Sequence, residues 1–363
     1  MRLADLTTLR LGGPPARLVD VRTEEELVEA VRACDERGEP VFVLGGGSNV
    51  VAADEGFDGT VVRVLTSGVT VDDAGCGDDD LAACGGLLLT VAAGEDWDDL
   101  VARAVAEEWI GVEALSGIPG AVGATPMQNV GAYGQEVADT IWTVRTYDRA
   151  AGTIRTFASA ECGFGYRTSR FKGSDRYVIT AVTYQLRQGS LSAPVRYAEL
   201  ARALGVETGE RAKLGDVRDA VLALRRGKGM VLDEADHDAW SAGSFFTNPI
   251  LDGATAAGLP DAAPRWPLDD GGVKTSAAWL IERSGFHRGY PGPGGRVALS
   301  TKHTLALTNR GEGSTADLLA LAREVRDGVR AAFGIVLEPE PVLLGCSLDS
   351  PDSPLDLSGR TTR

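Results

Sequence analysis

The sequence is poor in histidine and cysteine, the residues on which metal sites and disulfide frameworks depend. Its 363 residues include three histidines and five cysteines, with no H-E-x-x-H motif and no C-x-x-C pair. A zinc site is therefore not expected, and the odd cysteine count argues against a disulfide framework. We interpret the cysteines as buried thiols in a reducing compartment.

Long apolar runs and an excess of basic residues are also missing. No segment approaches the ~18 apolar residues that a membrane-spanning helix needs, and Met1 to Gly13 lack the apolar core of a signal peptide. Acidic residues outnumber basic ones by 52 to 36, for a net charge of −16. Nucleic-acid binders need a basic face, and anionic lipid repels an acidic protein. We expect a cytoplasmic protein that binds neither nucleic acid nor membrane, and that holds anionic ligands through local groups.

Periodicity and capping signals predict alternating strands and helices. With 44% apolar residues the chain is typical of a globular protein, and its length predicts two or three domains. Thr23 is the predicted N-cap of a helix that ends at Gly38, and Ser314 begins another that ends at Gly334. The other predicted helices span residues 96–108 and 217–226, and the predicted strands span residues 17–21, 41–44, 61–65, 87–93, 141–147, 153–157, 176–187 and 336–340.

A first glycine-rich loop, Gly45-Gly46-Gly47-Ser48-Asn49, directly follows an apolar strand. Consecutive glycines let backbone N–H groups converge on a phosphate, although a tight turn after the strand explains the motif equally well. The loop is not a dinucleotide-binding fingerprint, because Val50 replaces the third glycine and no helix clearly follows.

A second loop contains Gly117-Ile118-Pro119-Gly120-Ala121-Val122-Gly123-Ala124 and Asn129-Val130-Gly131-Ala132-Tyr133-Gly134. Its density of glycine and proline excludes a regular helix or strand over residues 115–134, and a loop of this length is usually functional. Small residues let the backbone approach a flat ring or a pyrophosphate, and Asn129 can hydrogen-bond the polar edge of a ring. The alternative is a purely structural loop.

Arg167 lies in the motif Gly165-Tyr166-Arg167-Thr168-Ser169-Arg170-Phe171-Lys172. Its guanidinium is a planar fork that matches a carboxylate. For an isolated arginine, a surface salt bridge is the more common role.

Two further motifs offer a hydroxyl and a pair of carboxylates. Ser244 lies between Gly243 and the aromatic pair Phe245-Phe246, which suggests either a hydroxyl presented in an apolar pocket or simple packing. It is not part of a G-x-S-x-G nucleophile elbow. Glu338 and Glu340 face the same side of an extended strand, so their spacing does not decide which one is functional, and both can be solvated.

In this order, the motifs resemble the UDP-N-acetylenolpyruvoylglucosamine reductase family, flavoenzymes that make UDP-N-acetylmuramate. The resemblance covers roughly residues 7–345. It includes three further motifs, Thr8-Leu9-Arg10-Leu11-Gly12-Gly13, Ala277-Ala278-Trp279-Leu280-Ile281-Glu282 and Lys302-His303-Thr304-Leu305-Ala306-Leu307. The strand-rich segment between Phe171 and Tyr197 is similar to the subtype with a tyrosine-bearing loop over the active site.

The resemblance implies an α+β fold, with a two-part FAD-binding domain like that of the vanillyl-alcohol-oxidase-like flavoproteins and a C-terminal α+β substrate-binding domain. The expected limits are residues 1–67 and 68–192 for the two FAD-binding subdomains and 193–346 for the substrate-binding domain. Residues 347–363 are expected to be a disordered tail.

The resemblance also implies roles for individual residues. Arg167, Ser244 and Glu340 match the family's catalytic residues. The expected FAD-binding residues are Gly45, Gly46, Gly47, Ser48, Asn49, Gly117, Ile118, Pro119, Gly123, Ala124, Asn129, Gly131 and Tyr133. The expected substrate-binding residues are Tyr166, Tyr197, Lys228 and Asn248, of which Tyr197 and Lys228 match residues that grip the UDP portion. Lys228 departs from the family pattern, since Gly-Met-Val follows it where many relatives have Leu-Pro, and Pro341 stands where a valine is common.

The reaction implied is reduction of UDP-N-acetylglucosamine enolpyruvate to UDP-N-acetylmuramate in peptidoglycan precursor synthesis. NADPH gives a hydride to non-covalently bound FAD, which passes it to the enolpyruvyl group, and we expect a monomer. One alternative is a non-covalent FAD oxidase or dehydrogenase of the same superfamily that acts on an alcohol or sugar. Another is a catalytically inactive binding protein, against which Arg167, Ser244 and Glu340 together argue.

Overall fold

The computed structural model describes residues 1–73 and 86–349, a mixture of helices and mostly antiparallel strands. The helices are α1 Glu24–Arg37, α2 Trp97–Ala106, α3 Ala198–Leu204, α4 Leu214–Gly227, α5 Gly253–Ala257, α6 Ala277–Arg283 and α7 Thr315–Phe333. The strands are β1 Pro15–Val21, β2 Val41–Leu44, β3 Val50–Ala52, β4 Phe57–Val64, β5 Val69–Asp73, β6 Gly86–Ala92, β7 Trp109–Ile110, β8 Gly131–Ala132, β9 Gln135–Glu136, β10 Ile141–Asp148, β11 Thr153–Ala158, β12 Tyr177–Gln188, β13 Ser241–Ser244, β14 Ile250–Leu251, β15 Trp266–Pro267, β16 Val273–Lys274, β17 Val297–Leu299, β18 Ala306–Asn309 and β19 Val342–Leu344.

The chain forms two compact units, each assembled from separate stretches of sequence. The first unit comprises Met1–Pro15, Gly47–Asp58 and Gly227–Arg363, and the second comprises Ala16–Gly46 and Gly59–Arg226. The expected domains are continuous stretches of sequence with limits at residues 67 and 192, and these limits do not coincide with those of the two compact units.

Among the described residues, the second unit contains two main sheets and the two-stranded pair of β8 and β9. The larger has the order β11-β10-β12-β6-β5, with β7 beside β12. Alternate residues of β6 are buried, including Leu89 and Val91, and they pack in one core with Trp97 of α2. The smaller sheet has the order β1-β4-β2 and belongs to a core with Leu27 and Val31 of α1. Strand and helix periodicities therefore both direct apolar faces inward.

Local capping sets the limits of α1 as the sequence predicts. The Thr23 side chain accepts a hydrogen bond from the Glu26 N–H at 3.1 Å, and the helix ends at Gly38, whose φ is 63°. A residue without Cβ adopts this left-handed conformation at little cost.

The helices α3 and α4 also belong to the second unit. Leu200 of α3 packs with Val217 and Val221 of α4 in a small apolar cluster that includes Ala114 and Val195. These helices lie within the sequence range expected for the substrate-binding domain.

The core of the first unit is built around α7. Leu318, Leu321, Val325 and Val329 of this helix are fully buried. The predicted ends of α7 are confirmed, because the Ser314 side chain accepts from the Asp317 N–H and Gly334 is left-handed. Its other elements include the sheet β13-β18-β17 and the parallel pair β3 and β19.

One expectation about the C-terminal region is wrong. Residues 336–340 do not form a strand; the regular strand is Val342–Leu344, and Pro339 makes one isolated bridge to Phe246. Pro339 and Pro341 lack an N–H, which limits pairing in this segment. Within the range expected to be a tail, Leu348 is buried and its carbonyl accepts from Arg323 Nε at 3.1 Å. Residues 350–363 lie outside the described range.

Candidate functional site

The first glycine-rich loop leaves β2 and passes from the second unit, which holds Gly45 and Gly46, to the first, which holds Gly47. A Cβ on Gly46 would lie 2.6 Å from the Cα of Gly120. Gly47 has a φ of 63°, and a Cβ there would lie 2.0 Å from the backbone oxygen of Leu6. Both distances are too short for any other residue, so the glycines are required by close backbone approach.

The second loop is held along its first half by backbone hydrogen bonds to the segment before α2. The Trp97 N–H donates to the Gly120 carbonyl at 2.9 Å, and the Gly123 N–H donates to the Ala93 carbonyl at 2.8 Å. A Cβ on Gly123 would lie 2.5 Å from the Cβ of Ala93. Apart from short 3₁₀ turns and β8, residues 115–134 are irregular, as the sequence predicts.

Charged side chains of α2 and α4 fix the start of this loop. Asp98 accepts from the Gly117 N–H at 2.6 Å and from the two Nη atoms of Arg218 at 2.7 and 3.0 Å. Burial raises the pKa of the Asp98 carboxyl, but the hydrogen bonds from Arg218 and Gly117 outweigh it and the pKa lies below its ordinary value. Arg225 Nε donates to the Gly117 carbonyl at 3.2 Å, and burial lowers the pKa of that guanidinium. The sequence alone does not predict these three residues, because only the fold brings them to Gly117.

Asn129 and Arg167 lie in one hydrogen-bonded cluster with Gly131. The buried Asn129 donates from Nδ2 to Glu136 Oε2 at 2.7 Å and to the Gly165 carbonyl at 3.1 Å. Arg167 Nη2 donates to the Gly131 carbonyl at 2.9 Å. The second unit thus joins the second loop to the arginine motif.

Two predicted tyrosines in the second unit are in ring contact. The ring centroids of Tyr133 and Tyr197 are 5.6 Å apart, with an interplanar angle of 86°. Tyr197 is 45% exposed, and it immediately precedes α3. The guanidinium carbon of Arg167 lies 5.5 Å from the centroid of the Tyr166 ring, so Tyr166 borders the arginine.

Ser244 and the segment around Glu340 are neighbours in the first unit. Ser244 ends β13 opposite Ala306 of β18. The next residues pair on their other side with the C-terminal segment, since the Glu340 N–H donates to the Phe245 carbonyl at 2.8 Å and the Thr247 N–H donates to the Glu338 carbonyl at 3.1 Å. Glu340 therefore pairs with Phe245, the residue after Ser244, next to the bridge between Phe246 and Pro339.

Burial distinguishes the two carboxylates that their spacing left equivalent. Glu338 is exposed, whereas Glu340 is half-buried. Asn49 Nδ2 donates to the Glu340 carbonyl at 3.3 Å, and the Val342 N–H donates to the Asn49 carbonyl at 2.9 Å. The first unit thus brings together Asn49, Glu340 and the chain beside Ser244.

The other predicted residues are placed as follows. Asn248 Oδ1 accepts from the Ala277 N–H at 2.9 Å, so this amide oxygen orients the start of α6. Lys228 is half-buried immediately after α4. Ser48, Ile118 and Pro119 are half-buried, and Ala124 is exposed. Arg167 belongs to the second unit, and Ser244 and Glu340 to the first.

The described residues show no metal centre, and burial raises the pKa of two cysteine thiols. Within residues 1–73 and 86–349, no three His, Cys, Asp or Glu side chains are grouped as metal ligands. Burial raises the pKa of Cys162 to about 11 and that of Cys346 to about 12, so both thiols are protonated at neutral pH. No helix in the same ranges is long and apolar enough to cross a membrane.

Two protein-family models match the chain. A model described as an FAD binding domain matches residues 15–158. A model described as the C-terminal domain of UDP-N-acetylenolpyruvoylglucosamine reductase matches residues 234–344. The second range contains Ser244, Asn248 and Glu340.

Relatives of known name match over nearly the whole chain. The UDP-N-acetylenolpyruvoylglucosamine reductase of Cutibacterium acnes is 57% identical over 348 residues, which cover 95% of this chain and 90% of that protein. The reductase of the same name from Thermobifida fusca is 57% identical over 357 residues, with 95% and 97% covered. The crystal structure of the Thermus caldophilus enzyme superposes with a TM-score of 0.63 at 26% identity, covering 94% of this chain and 97% of that one. By near-complete coverage at more than half identity, the chain belongs to the UDP-N-acetylenolpyruvoylglucosamine reductase family.

Proposed function

We propose that this protein is an FAD-dependent oxidoreductase that reduces UDP-N-acetylglucosamine enolpyruvate to UDP-N-acetylmuramate, a step of peptidoglycan precursor synthesis, with NADPH as hydride donor. The observation that carries the proposal is the 57% identity to a reductase of that name over 95% of the chain. The backbone ladder that places Glu340 beside the Ser244 segment agrees with it. A cytoplasmic location and a monomeric state belong to the same proposal.

The residues present fit FAD. A Cβ on Gly46 would lie 2.6 Å from the Cα of Gly120, and a Cβ on Gly45 would lie 3.3 Å from the Cβ of Ala121. Such a pair of small-residue loops exposes backbone N–H groups to a pyrophosphate without steric hindrance. We assign the two loops, with Ser48, Asn49, Ile118, Pro119, Asn129, Gly131 and Tyr133, to FAD, together with Gly47, Gly117, Gly123 and Ala124. The flavin supplies the two-electron redox centre that accepts a hydride from NADPH and delivers it to a carbon of the substrate.

Arg167 is assigned to the substrate carboxylate. Hydride addition to the terminal carbon of the enol ether drives negative charge onto the conjugated carboxylate. A guanidinium held before the charge develops stabilises the transition state more than the ground state. The bond from Arg167 Nη2 to the Gly131 carbonyl, at 2.9 Å, fixes the orientation of the fork.

Ser244 is assigned as the proton donor to the carbon next to the carboxylate. A hydroxyl is a weak acid. As its proton leaves, the negative charge that develops on the oxygen must be stabilised by a neighbouring group or a proton relay. Glu340 is assigned to orient the substrate carboxylate, and its half-buried position favours it over the exposed Glu338.

Tyr166, Tyr197, Lys228 and Asn248 are assigned to the nucleotide sugar, with Tyr197 and Lys228 at the UDP portion. The two-part FAD-binding domain over residues 1–67 and 68–192, and the substrate-binding domain over 193–346, remain assignments by family resemblance. An overall charge of −16 repels an anionic ligand, so local cations such as Lys228 must provide the affinity.

The test is a comparison of NADPH oxidation by the purified protein with and without the enolpyruvyl nucleotide sugar. We expect a flavin absorption spectrum and NADPH consumption that depends stoichiometrically on the nucleotide sugar, with UDP-N-acetylmuramate as product. Consumption of NADPH that is indifferent to this substrate, or turnover of an alcohol or free sugar with oxygen, contradicts the proposal.

A further inference from the structure

Glu113 is a buried acidic residue to which neither the family models nor the assignments above give a role. Its exposed fraction is 0%. Its carboxylate accepts three hydrogen bonds, from the Gly111 N–H at 2.7 Å, from Gln135 Nε2 at 3.0 Å and from the Ala193 N–H at 2.6 Å. Burying a carboxylate is costly unless such donors replace water, so this carboxylate is held in place by all three segments.

The three donors come from parts of the second unit that are far apart in sequence. Gly111 follows β7, Gln135 begins β9, and Ala193 follows β12 on the way to α3. The link to Gln135 is reciprocal, because Gln135 Oε1 accepts from the Ala114 N–H at 2.8 Å. One side chain therefore ties three loops to a single point.

Two of these segments carry the tyrosines that are in contact. Tyr133 lies two residues before Gln135, and Tyr197 lies four residues after Ala193. Their ring centroids are 5.6 Å apart, and a Cβ on Gly134 would lie 3.0 Å from the Cβ of Arg196. The packing continues below the rings, since Ala114 shares an apolar cluster with Val195.

We propose that Glu113 is a positioning residue for the nucleotide sugar. Its carboxylate fixes the position of Tyr197 by holding together Ala193 and the β8–β9 hairpin, which contains Tyr133. The inference rests on the proposed function, in which Tyr197 contacts the UDP portion. Because Tyr197 is 45% exposed, the position of its ring depends strongly on the backbone that carries it.

Glu113→Gln is the sharpest substitution, because it conserves shape and changes one acceptor oxygen to an NH₂ group. Each carboxylate oxygen faces at least one N–H donor, Oε2 facing Gly111 and Oε1 facing Gln135 and Ala193. Whichever way the new amide turns, an NH₂ group meets an N–H group and at least one hydrogen bond is lost. The loss of such bonds at a buried charged group is sufficient for about a tenfold loss of affinity.

The experiment measures steady-state kinetics and hydrogen exchange of the FAD-loaded Glu113→Gln protein. We expect KM for the nucleotide sugar to rise about tenfold while kcat stays within about twofold, the pattern of lost ground-state binding. Exchange of the peptide containing Ala193 should accelerate. Glu107→Gln, at an exposed position at the end of α2, is the matched control and should change neither quantity.

A double variant separates positioning from general destabilisation. If Glu113 acts through Tyr197, then Glu113→Gln adds nothing to the KM of Tyr197→Ala, since coupled residues are not additive. The role of Glu113 is overturned if the two substitutions multiply their effects on KM in the double variant. It is also overturned if Tyr197→Ala raises KM and Glu113→Gln does not; in both cases the role of Tyr197 stands. If Glu113→Gln does not fold, Ala193→Pro, which removes the N–H donor to Glu113 and fixes φ at that position, should raise KM in the same way.

Failure of the proposed function is distinguishable from these outcomes. A wild-type protein that does not reduce the nucleotide sugar contradicts the function. In that case unchanged exchange of the Ala193 peptide in Glu113→Gln overturns the positioning role independently of activity.

Discussion

At the scale of single residues, three of the five non-glycine residues with positive φ in the described ranges are predicted site residues. Asn129, Tyr133 and Arg167 all have positive φ, at 48°, 49° and 51°. Asparagine tolerates this conformation, but tyrosine and arginine do so at a cost of about 1–2 kcal/mol each. Such strain persists where surrounding contacts determine the backbone, which is common at functional sites.

The strain at Arg167 predicts that a glycine variant is more stable than an alanine variant, the reverse of the usual order. Arg167→Gly and Arg167→Ala both remove the guanidinium, but only alanine keeps the Cβ that opposes positive φ. We expect the glycine variant to be more stable by up to about 1 kcal/mol, with turnover lost in both. Urea unfolding of the two proteins measures the difference.

The matched control is the same pair of substitutions at Arg155, an exposed residue of β11. In a strand, glycine is less favourable than alanine, so the order there should be reversed. An alanine variant at 167 that is at least as stable as the glycine variant would contradict the strain.

Ser244 predicts a selective kinetic defect. Reduction of the flavin by NADPH needs no proton from this hydroxyl, whereas reduction of the enol ether does. In Ser244→Ala, rapid mixing should show near-normal flavin bleaching and a reoxidation by substrate that is slower by about 10²–10⁴-fold. Ser244→Cys, a better acid of similar size, should recover part of the rate. Equal effects on the two half-reactions would return Ser244 to a packing role beside Phe245.

The sequence predicts the types of the site residues better than their arrangement. Phe245 and Phe246 are buried, at 2% and 1% exposure, as expected of an apolar setting for Ser244. Spacing in an extended chain treats Glu338 and Glu340 alike; the family resemblance favours Glu340, and their different burial supports that choice. Asp98, Arg218 and Glu113 were not found at all, since each acts through contacts that span long stretches of sequence.

At the scale of elements, helices with local signals were predicted well. The limits of α1 and α7 depend on an N-cap and a glycine within the helix's own sequence, so they can be read without tertiary structure. The two-residue strands β7, β8, β9, β14, β15 and β16 were not predicted. Each depends on a partner strand, and their own residues carry too little periodicity to identify them.

The N-terminus of α7 predicts a pH dependence of stability. Asp317 accepts from both Arg296 Nε and Nη2, at 2.9 and 2.7 Å, and from the Ser314 N–H at 3.2 Å. The hydrogen bonds from Arg296 lower the pKa of Asp317 to about 2. A lowered folded-state pKa stabilises the fold above the unfolded pKa of about 4 and loses that effect as the pH falls towards 2. Because Arg296 is 47% exposed, screening reduces the contribution to about 1 kcal/mol.

Urea unfolding between pH 7 and pH 2 tests this dependence. Asp317→Asn should destabilise the protein at pH 7, and the difference from wild type should shrink steadily below pH 4. Asp327→Asn, on the same helix with its side chain 67% exposed, is the control and should show no such trend. A difference that is constant with pH would show that Asp317 acts through its size and not its charge.

The contact between the glycine-rich loops predicts a loss of cofactor binding. In Gly46→Ala the new Cβ would lie 2.6 Å from backbone Cα of Gly120, and backbone cannot rotate away as a side chain can. We expect the FAD content of the purified protein to fall about tenfold or more, with the circular dichroism of the helices unchanged. Gly215→Ala, in α4 where a Cβ meets nothing within 4 Å, should retain its flavin. Full flavin content in Gly46→Ala would contradict the assignment of this loop.

At the scale of the whole molecule, the two units are interleaved in sequence. The first unit takes residues from the start, from Gly47–Asp58 and from the C-terminal half of the chain. Composition and length predicted a division into domains. Such a prediction assigns one continuous stretch of sequence to each domain, so it cannot detect units built from separate stretches. The pairing of β3 with β19 joins residues 50–52 to 342–344, and no local signal reports such a contact.

The cofactor of the whole protein should be released without breaking a bond. Neither the segment 45–49 nor 117–134 contains a histidine or a cysteine, residue types to which a flavin can be covalently attached. Acid precipitation of the yellow protein should leave the flavin in the supernatant. Flavin that remains with the pellet would indicate a tether elsewhere and favour an oxidase of the same superfamily.

The parallel pair β3 and β19 has a consequence for the order in which the protein can be completed on the ribosome. All residues of the second unit have been synthesised once Arg226 is made. Strand β3, made early, gains its partner only when Leu344 has been added. A chain that stops short of this strand thus contains nearly every assigned site residue and still leaves the first unit open, so late truncation should yield degradation-prone protein and not a partly active enzyme.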